Sequence, residues 1–249
     1  MPVVTEELRG TPRNPEEPLS VVRNLLREAA DPADAEGALR YFKTAPGEYG
    51  HGDRFLGVRA PALRRISKEC DGLTLGDLGK LLDSEWHEER SLALLAMVRR
   101  YGRHADEREA LYALYFEKLG RINNWDLVDV SAADIVGAHL RERSRAPLRK
   151  LARSESVWER RIAIIATHHF IRRGEFEETL RIAGLLLRDR HDLIHKAAGW
   201  MLREVGERDG AAEEVFLDRH AAEMPRTMLR YAIEKFSEPE RRKYMQMKR

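Results

Sequence analysis

A single cysteine, Cys70, in 249 residues leaves no internal disulfide and no cysteine cluster for zinc. That usage suits a reducing cytosol and a buried, inert thiol. Long apolar runs are missing too. The longest stretches, such as residues 92–98, fall far below the ~20 residues a bilayer-spanning helix needs, so a soluble protein without a membrane partner is expected. The opening MPVVTEELRG carries acids where an export signal needs basic residues and then an apolar core, which predicts a cytoplasmic chain. Nor does one sign of charge dominate. Lys and Arg number 44 against 42 Asp and Glu, so any affinity for an anionic partner must come from local clusters. Glycine, proline and aromatics are modest beside a charged fraction of 35%, a mixture suited to helices with wide solvated faces.

What is present is a helical rhythm. Apolar residues recur three and four apart through most of the chain, as in Leu92, Leu95, Ala96 and again in Ile162, Ile165, Ala166. No alternating strand pattern competes, and breaks near Gly102, Gly120, Gly174 and Pro225 predict short, mostly unkinked helices. Segments beginning at Arg90, Trp125, Arg160, His195 and Arg230 align without gaps, each start 35 residues after the last. Two columns of that frame are apolar or small throughout: Leu92, Leu127, Ile162, Ala197, Ala232, and Ala93, Val128, Ala163, Ala198, Ile233. A period of that length predicts an all-α solenoid of HEAT-like repeats, each burying its apolar face against its neighbours. The whole chain reads as one such domain, with irregular N-terminal helices as a cap and residues 1–16 as a poorly ordered tail. A monomer is expected.

Residues that violate their column are the informative ones. Asp129 shares a column with Leu94, Ile164, Gly199 and Glu234, and a terminal repeat such as that of Glu234 commonly turns a polar face to solvent. Asp126 occupies a column that is already polar and follows Asn123 and Asn124, which fits a capping or helix-dipole role. Trp125, Arg161, Asp129, Trp200 and Arg203 take offsets 0, 1, 4, 5 and 8 in the frame, one helix face built by three units. That face is the candidate site. Its alternative reading is that the tryptophans anchor the core and Asp129 is an ion-pair partner.

A basic run lies just beyond it: Arg141, Arg143, Arg145, Arg149, Lys150, Arg153, Arg160 and Arg161, against Glu142, Glu155 and Glu159. Arginine beside indole suits a phosphate backbone with a sugar or base next to it. Other constellations are weaker. His191 and His195 stand four apart and His168 and His169 adjoin, but without an HExxH or a third ligand no metal is expected. Gly47, Gly50 and Gly52 lack the GK[ST] ending of a phosphate-cradling loop.

Several segments together resemble the AlkD-type DNA alkylation-repair glycosylases, a family of HEAT-like repeat proteins: Ala38-Leu-Arg-Tyr-Phe-Lys, Phe55-Leu-Gly-Val-Arg-Ala-Pro, Trp125-Asp-Leu-Val-Asp, Trp158-Glu-Arg-Arg and Lys196-Ala-Ala-Gly-Trp-Met-Leu-Arg-Glu. The resemblance implies a monofunctional DNA glycosylase of base excision repair, acting without a cofactor on 3-methyladenine and 7-methylguanine in duplex DNA. It makes Asp129 the catalytic carboxylate, with Trp125 and Trp200 against the lesion-bearing nucleotide. Arg161 and Arg203 become DNA contacts, joined by Tyr41 on the N-terminal side of the cleft and by Arg160 and Lys196.

The implied chemistry needs only one acid. Ordinary glycoside hydrolysis uses two carboxylates, but a purine alkylated at N3 or N7 is already cationic and leaves without protonation. Two departures from the family stand out. Asn124 replaces an aromatic before the matched tryptophan, and residues 46–53 look like an added loop beside Tyr41. The alternative from another class is a non-catalytic HEAT-like module that binds DNA structure or a protein partner.

Overall fold

A computed structural model describes residues 17–247; the tail expected at residues 1–16 lies outside the described residues. The helices follow in the order α1 (Glu17–Glu28), α2 (Pro32–Tyr41), α3 (Ala60–Ile66), α4 (Leu75–Leu82), α5 (His87–Arg103), α6 (Arg108–Glu117), α7 (Trp125–Asp129), α8 (Ala138–Leu140), α9 (Ala146–Leu151), α10 (Val157–Ala166), α11 (His168–Ile171), α12 (Glu177–Leu185), α13 (Asp192–Gly206), α14 (Gly210–His220), α15 (Arg226–Ala232) and α16 (Glu238–Gln246). No strand forms among the described residues, and no helix there is long and apolar enough to cross a membrane.

Several helices begin where short polar side chains offer an acceptor to free N–H groups. Asp31 caps α2, Ser156 caps α10, Asp209 caps α14, and Thr74 with Asp77 forms a capping box on α4. Packing then sorts the helices into two layers. The sequence α5, α7, α10, α13, α15 forms one, each touching the next, while α4, α6, α9, α12 and α14 pack outside them. This is the solenoid arrangement that the period predicts. All ten residues of the two core columns are buried, from Leu92 and Ala93 to Ala232 and Ile233, so the period is the repeat of the core itself.

Close approach between inner helices sets where glycine is needed. A Cβ on Gly199 would lie 2.4 Å from the Met228 carbonyl oxygen, so only a bare Cα lets α13 meet α15 there. The helix that begins at Trp125 is interrupted early. After Asp129 the chain turns, then passes through a π-helical segment (Ala133–Gly137) before α8. Two causes are visible. The Ser131 hydroxyl donates to the Leu127 carbonyl at 2.6 Å, and Gly137 presses on the Ala166 carbonyl so closely that a Cβ would stand 2.1 Å away. The result is a short α7 that carries Trp125 and Asp129 at its two ends.

The cap comprises α1, α2, α3 and the irregular chain between α2 and α3. Cys70 is fully buried beside it, and burial pushes its thiol up to about 12, so it stays a thiol.

Candidate active site

α7 is anchored from behind. Asn124 is fully buried, accepts from the Trp125 N–H at 2.8 Å and donates through Nδ2 to Asp53 at 3.1 Å. Asp53 also meets His87 at 3.2 Å and accepts from Arg90 at 2.6 Å. Burial opposes ionisation of Asp53, but hydrogen bonds from His87 and Asn124 and the Arg90 charge hold its carboxyl below the usual range. On the other ring nitrogen of His87 sits Asp126, at 2.7 Å. Burial works against the imidazolium, yet the carboxylates of Asp126 and Asp53 raise it to about 9, so the ring is charged at neutral pH. Asn124 therefore supplies the cap expected of this segment. Asp126 stands in the first turn of α7, where an acid favours the helix dipole as expected, and it is also an ion-pair partner of His87.

With its base fixed, α7 presents Trp125 and Asp129 to a cleft of about 410 Å³. Its lining includes Tyr41, Trp125, Asp129, Arg161, Lys196, Trp200 and Arg203, the site residues the repeat frame and the resemblance select. Two tyrosines that sequence reasoning missed, Tyr49 and Tyr231, line it as well. Asp129 is the one acid among these lining residues. Its two oxygens accept from Nε and Nη2 of Arg161 at 2.8 and 2.7 Å. Burial raises its pKa and the Arg161 guanidinium pulls it back, with the net direction upward.

Aromatic rings make up much of the remaining wall. Tyr41 meets Trp125 edge-on at 5.7 Å, and Phe42 stacks behind Trp125 at 5.5 Å. Trp200 donates its indole N–H to Glu204 at 3.0 Å, and its ring lies 5.8 Å from His168 with the planes tilted by 53°.

The arginines stand differently from expectation. Arg161 is only 5% exposed, and beyond the two bonds to Asp129 it donates to the Leu193 carbonyl at 2.7 Å, so its donors point inward rather than to a phosphate. Arg160 does not line the cleft; it bonds Asp189 at 2.6 Å and the carbonyls of Ser154 and Glu155 at 2.8 and 2.9 Å. Two units earlier, Arg90 makes the same stitch to Ser84 and Glu85, and one unit later His195 makes it to Asp189. The first column of the frame thus stitches the preceding loop at Arg90, Arg160 and His195, and does not at Trp125. Lys196 pairs with Asp192 at 2.7 Å, and Arg203 pairs with Glu234.

Much of the basic run is spent in the same way. Arg149 holds Glu178 and so joins α9 to α12, while Arg141 and Arg145 hold Glu175 between the segments that precede those two helices. His191 caps α13 by accepting from the Leu193 N–H.

Comparison with known proteins adds a family. Residues 22–236 match the family described as DNA alkylation repair enzyme. A solved structure described as a predicted DNA alkylation repair enzyme from Enterococcus faecalis superposes with a TM-score of 0.62 at 18% identity, covering 84% of this chain and 97% of that one. At that identity the likeness is one of fold. No curated protein matches the sequence.

Proposed function

The chain belongs to the DNA alkylation repair enzyme family, and we propose that it is a monofunctional glycosylase that hydrolyses the N-glycosidic bond of cationic alkylpurines in duplex DNA. The observation that carries this reading is one carboxylate, Asp129, set among tryptophan and tyrosine rings in a cleft with no second acid on its lining. Two-acid hydrolysis has no partner residue there. A cationic purine needs none: as the bond from C1′ to the base breaks, its electron pair passes to the ring and cancels the positive charge.

Positive charge then develops on the sugar, where Asp129 stabilises it. Water adds to C1′ and gives its proton through the carboxylate to solvent, leaving free base and an abasic site. Arg161 keeps the buried carboxylate ionised and fixes its plane, while each oxygen retains further acceptor capacity for sugar or water. The faces of Trp125 and Trp200 attract the cationic nucleotide, at about 0.5–2 kcal/mol per ring.

Purified protein incubated with methylated duplex DNA is expected to release 7-methylguanine and 3-methyladenine. Duplex binding without release would instead favour a non-catalytic HEAT-like DNA-binding module, for which the closed pair of Asp129 and Arg161 is the supporting observation.

Arg161→Ala distinguishes positioning from phosphate contact. Removing the guanidinium takes away what lowers the Asp129 pKa, so that pKa rises further and the acid limb of the release-versus-pH profile moves to higher pH. The salt slope of duplex binding is expected to stay unchanged, because the buried guanidinium releases no counterion. A flattened slope with an unmoved pH profile would return Arg161 to the phosphate-contact role.

A further inference from the structure

The loop that separates this chain from the family pattern reaches into the candidate site. Tyr49 at its tip lines the Asp129 cleft, and its ring rests edge-on against Trp158 at 5.9 Å, 76° between planes. The phenol is half-buried. Burial raises its pKa, opposed by Trp125 and by the Lys196 ammonium, which line the same cleft. An inserted loop thus packs one side chain against two repeat units.

That loop is pinned at both ends. At its start the Thr44 N–H donates to Leu39 at 3.1 Å, and Lys43 adopts φ +52. Gly50 lies buried against the Phe42–Lys43 backbone: its N–H donates to the Lys43 carbonyl at 3.1 Å, and a Cβ there would stand 2.3 Å from the Phe42 carbonyl oxygen. Gly47 and Gly52 turn the chain at φ +83 and +89, values that favour glycine. At its end Asp53 is held by His87, Arg90 and Asn124, the same set that anchors α7. Tyr41, the other cap residue on the cleft wall, closes α2 and is 65% exposed, its ring edge-on to Phe42 at 5.0 Å and to Trp125 at 5.7 Å.

The two cap tyrosines therefore differ in kind. Tyr41 stands exposed at the end of α2, whereas Tyr49 is half-buried, backed by Trp158 and carried on a loop tied to the scaffold of α7. We infer that Tyr49 is a specificity-determining residue, a rigid wall that limits the bulk of the adduct admitted beside Asp129. This rests on the glycosylase reading above and names its substrate range as small cationic adducts. Charge discrimination alone would not set such a limit, because a bulky N7-alkylguanine carries the same positive charge as a methylated one.

The test compares kcat/KM for release of 7-methylguanine and of a guanine bearing a benzyl-sized group at N7, each in otherwise identical duplexes. Tyr49→Phe is expected to keep the ratio of bulky to methyl substrate within about twofold of wild type, since the ring remains. Tyr49→Ala is expected to raise that ratio at least about tenfold, the scale of 1–3 kcal/mol for a change of pocket size. Tyr49→Trp is expected to lower it, a change that loss of folding does not produce. An unchanged ratio in Tyr49→Ala and Tyr49→Trp overturns the inference and leaves the glycosylase reading standing, as does a wild-type enzyme that excises both substrates equally. A wild-type protein that releases neither base overturns both.

Discussion

Asp129→Asn is expected to lower methylpurine release by at least about 100-fold, the scale seen when a single preorganised electrostatic group is removed from a transition state. Asparagine keeps the size of the side chain and one acceptor for Arg161, so the cleft stays shaped while the negative charge is lost. The ground-state duplex meets the same rings and the same cations, and binding is expected to change no more than a few-fold. Some stability is lost as well. Arg161 is 5% exposed and then lacks its counter-charge, and breaking a buried pair costs about 3–5 kcal/mol when one partner is deleted outright. The isosteric amide keeps the loss below that range. Release under single-turnover conditions with protein in excess, corrected for spontaneous depurination, measures the first effect, and thermal unfolding of the same sample measures the second. Release at the wild-type rate would remove Asp129 from the reaction.

A second large effect lies outside the cleft lining, in α14. Glu213 is 1% exposed, its Oε1 has no hydrogen-bond partner, and its carboxyl lies against Gly206. Burial pushes its pKa up to about 8, with Glu214 and Glu207 adding to the rise and Arg203 opposing it. Because the folded value lies above the ordinary 4.5, the folded state prefers the protonated acid. The penalty is absent below pH 4.5, grows as pH rises toward 8 and is complete above it. At about 1.4 kcal/mol per pH unit the full penalty approaches 5 kcal/mol, and relaxation around the charge reduces it to about 2–4 kcal/mol.

The repeat frame explains how this acid came to stand alone. One period earlier, Glu178 is equally buried but holds Arg149 at 2.9 Å. The position one period after Arg149 is Gly184, which supplies no cation and has open space where a Cβ would point. Glu213→Gln is therefore expected to stabilise the protein by about 2–4 kcal/mol at pH 9 and to leave it unchanged at pH 4, and Gly184→Arg is expected to recover part of that gain at pH 9 by restoring the missing partner. Urea unfolding at the two pH values decides it: parallel stability curves for wild type and Glu213→Gln would show that the carboxyl finds a partner or water in solution.

The period of the sequence determined a good deal. It located the core columns, because a residue buried in one unit is buried at the same offset in the next wherever the units stack alike. It also brought Trp125, Asp129, Arg161, Trp200 and Arg203 to one cleft, since offsets on one helix face remain on one face when helices are layered in order. The anomaly at Asp129 was visible for the same reason. Tertiary structure alone decided what these charges do. Arg160 and Arg161 are neighbours in a basic run, yet one stitches a loop and the other clasps Asp129, because adjacent helical residues point about 100° apart and meet different elements. His87 meets Asp126 and Asp53 across 39 and 34 residues of separation, contacts that no periodicity encodes. Tyr49 belongs to that second class. Its loop lies outside the frame, and only the path of the cap over α7, set by Gly50 and Asp53, delivers a tyrosine to a cleft built by helices more than 70 residues further along the chain.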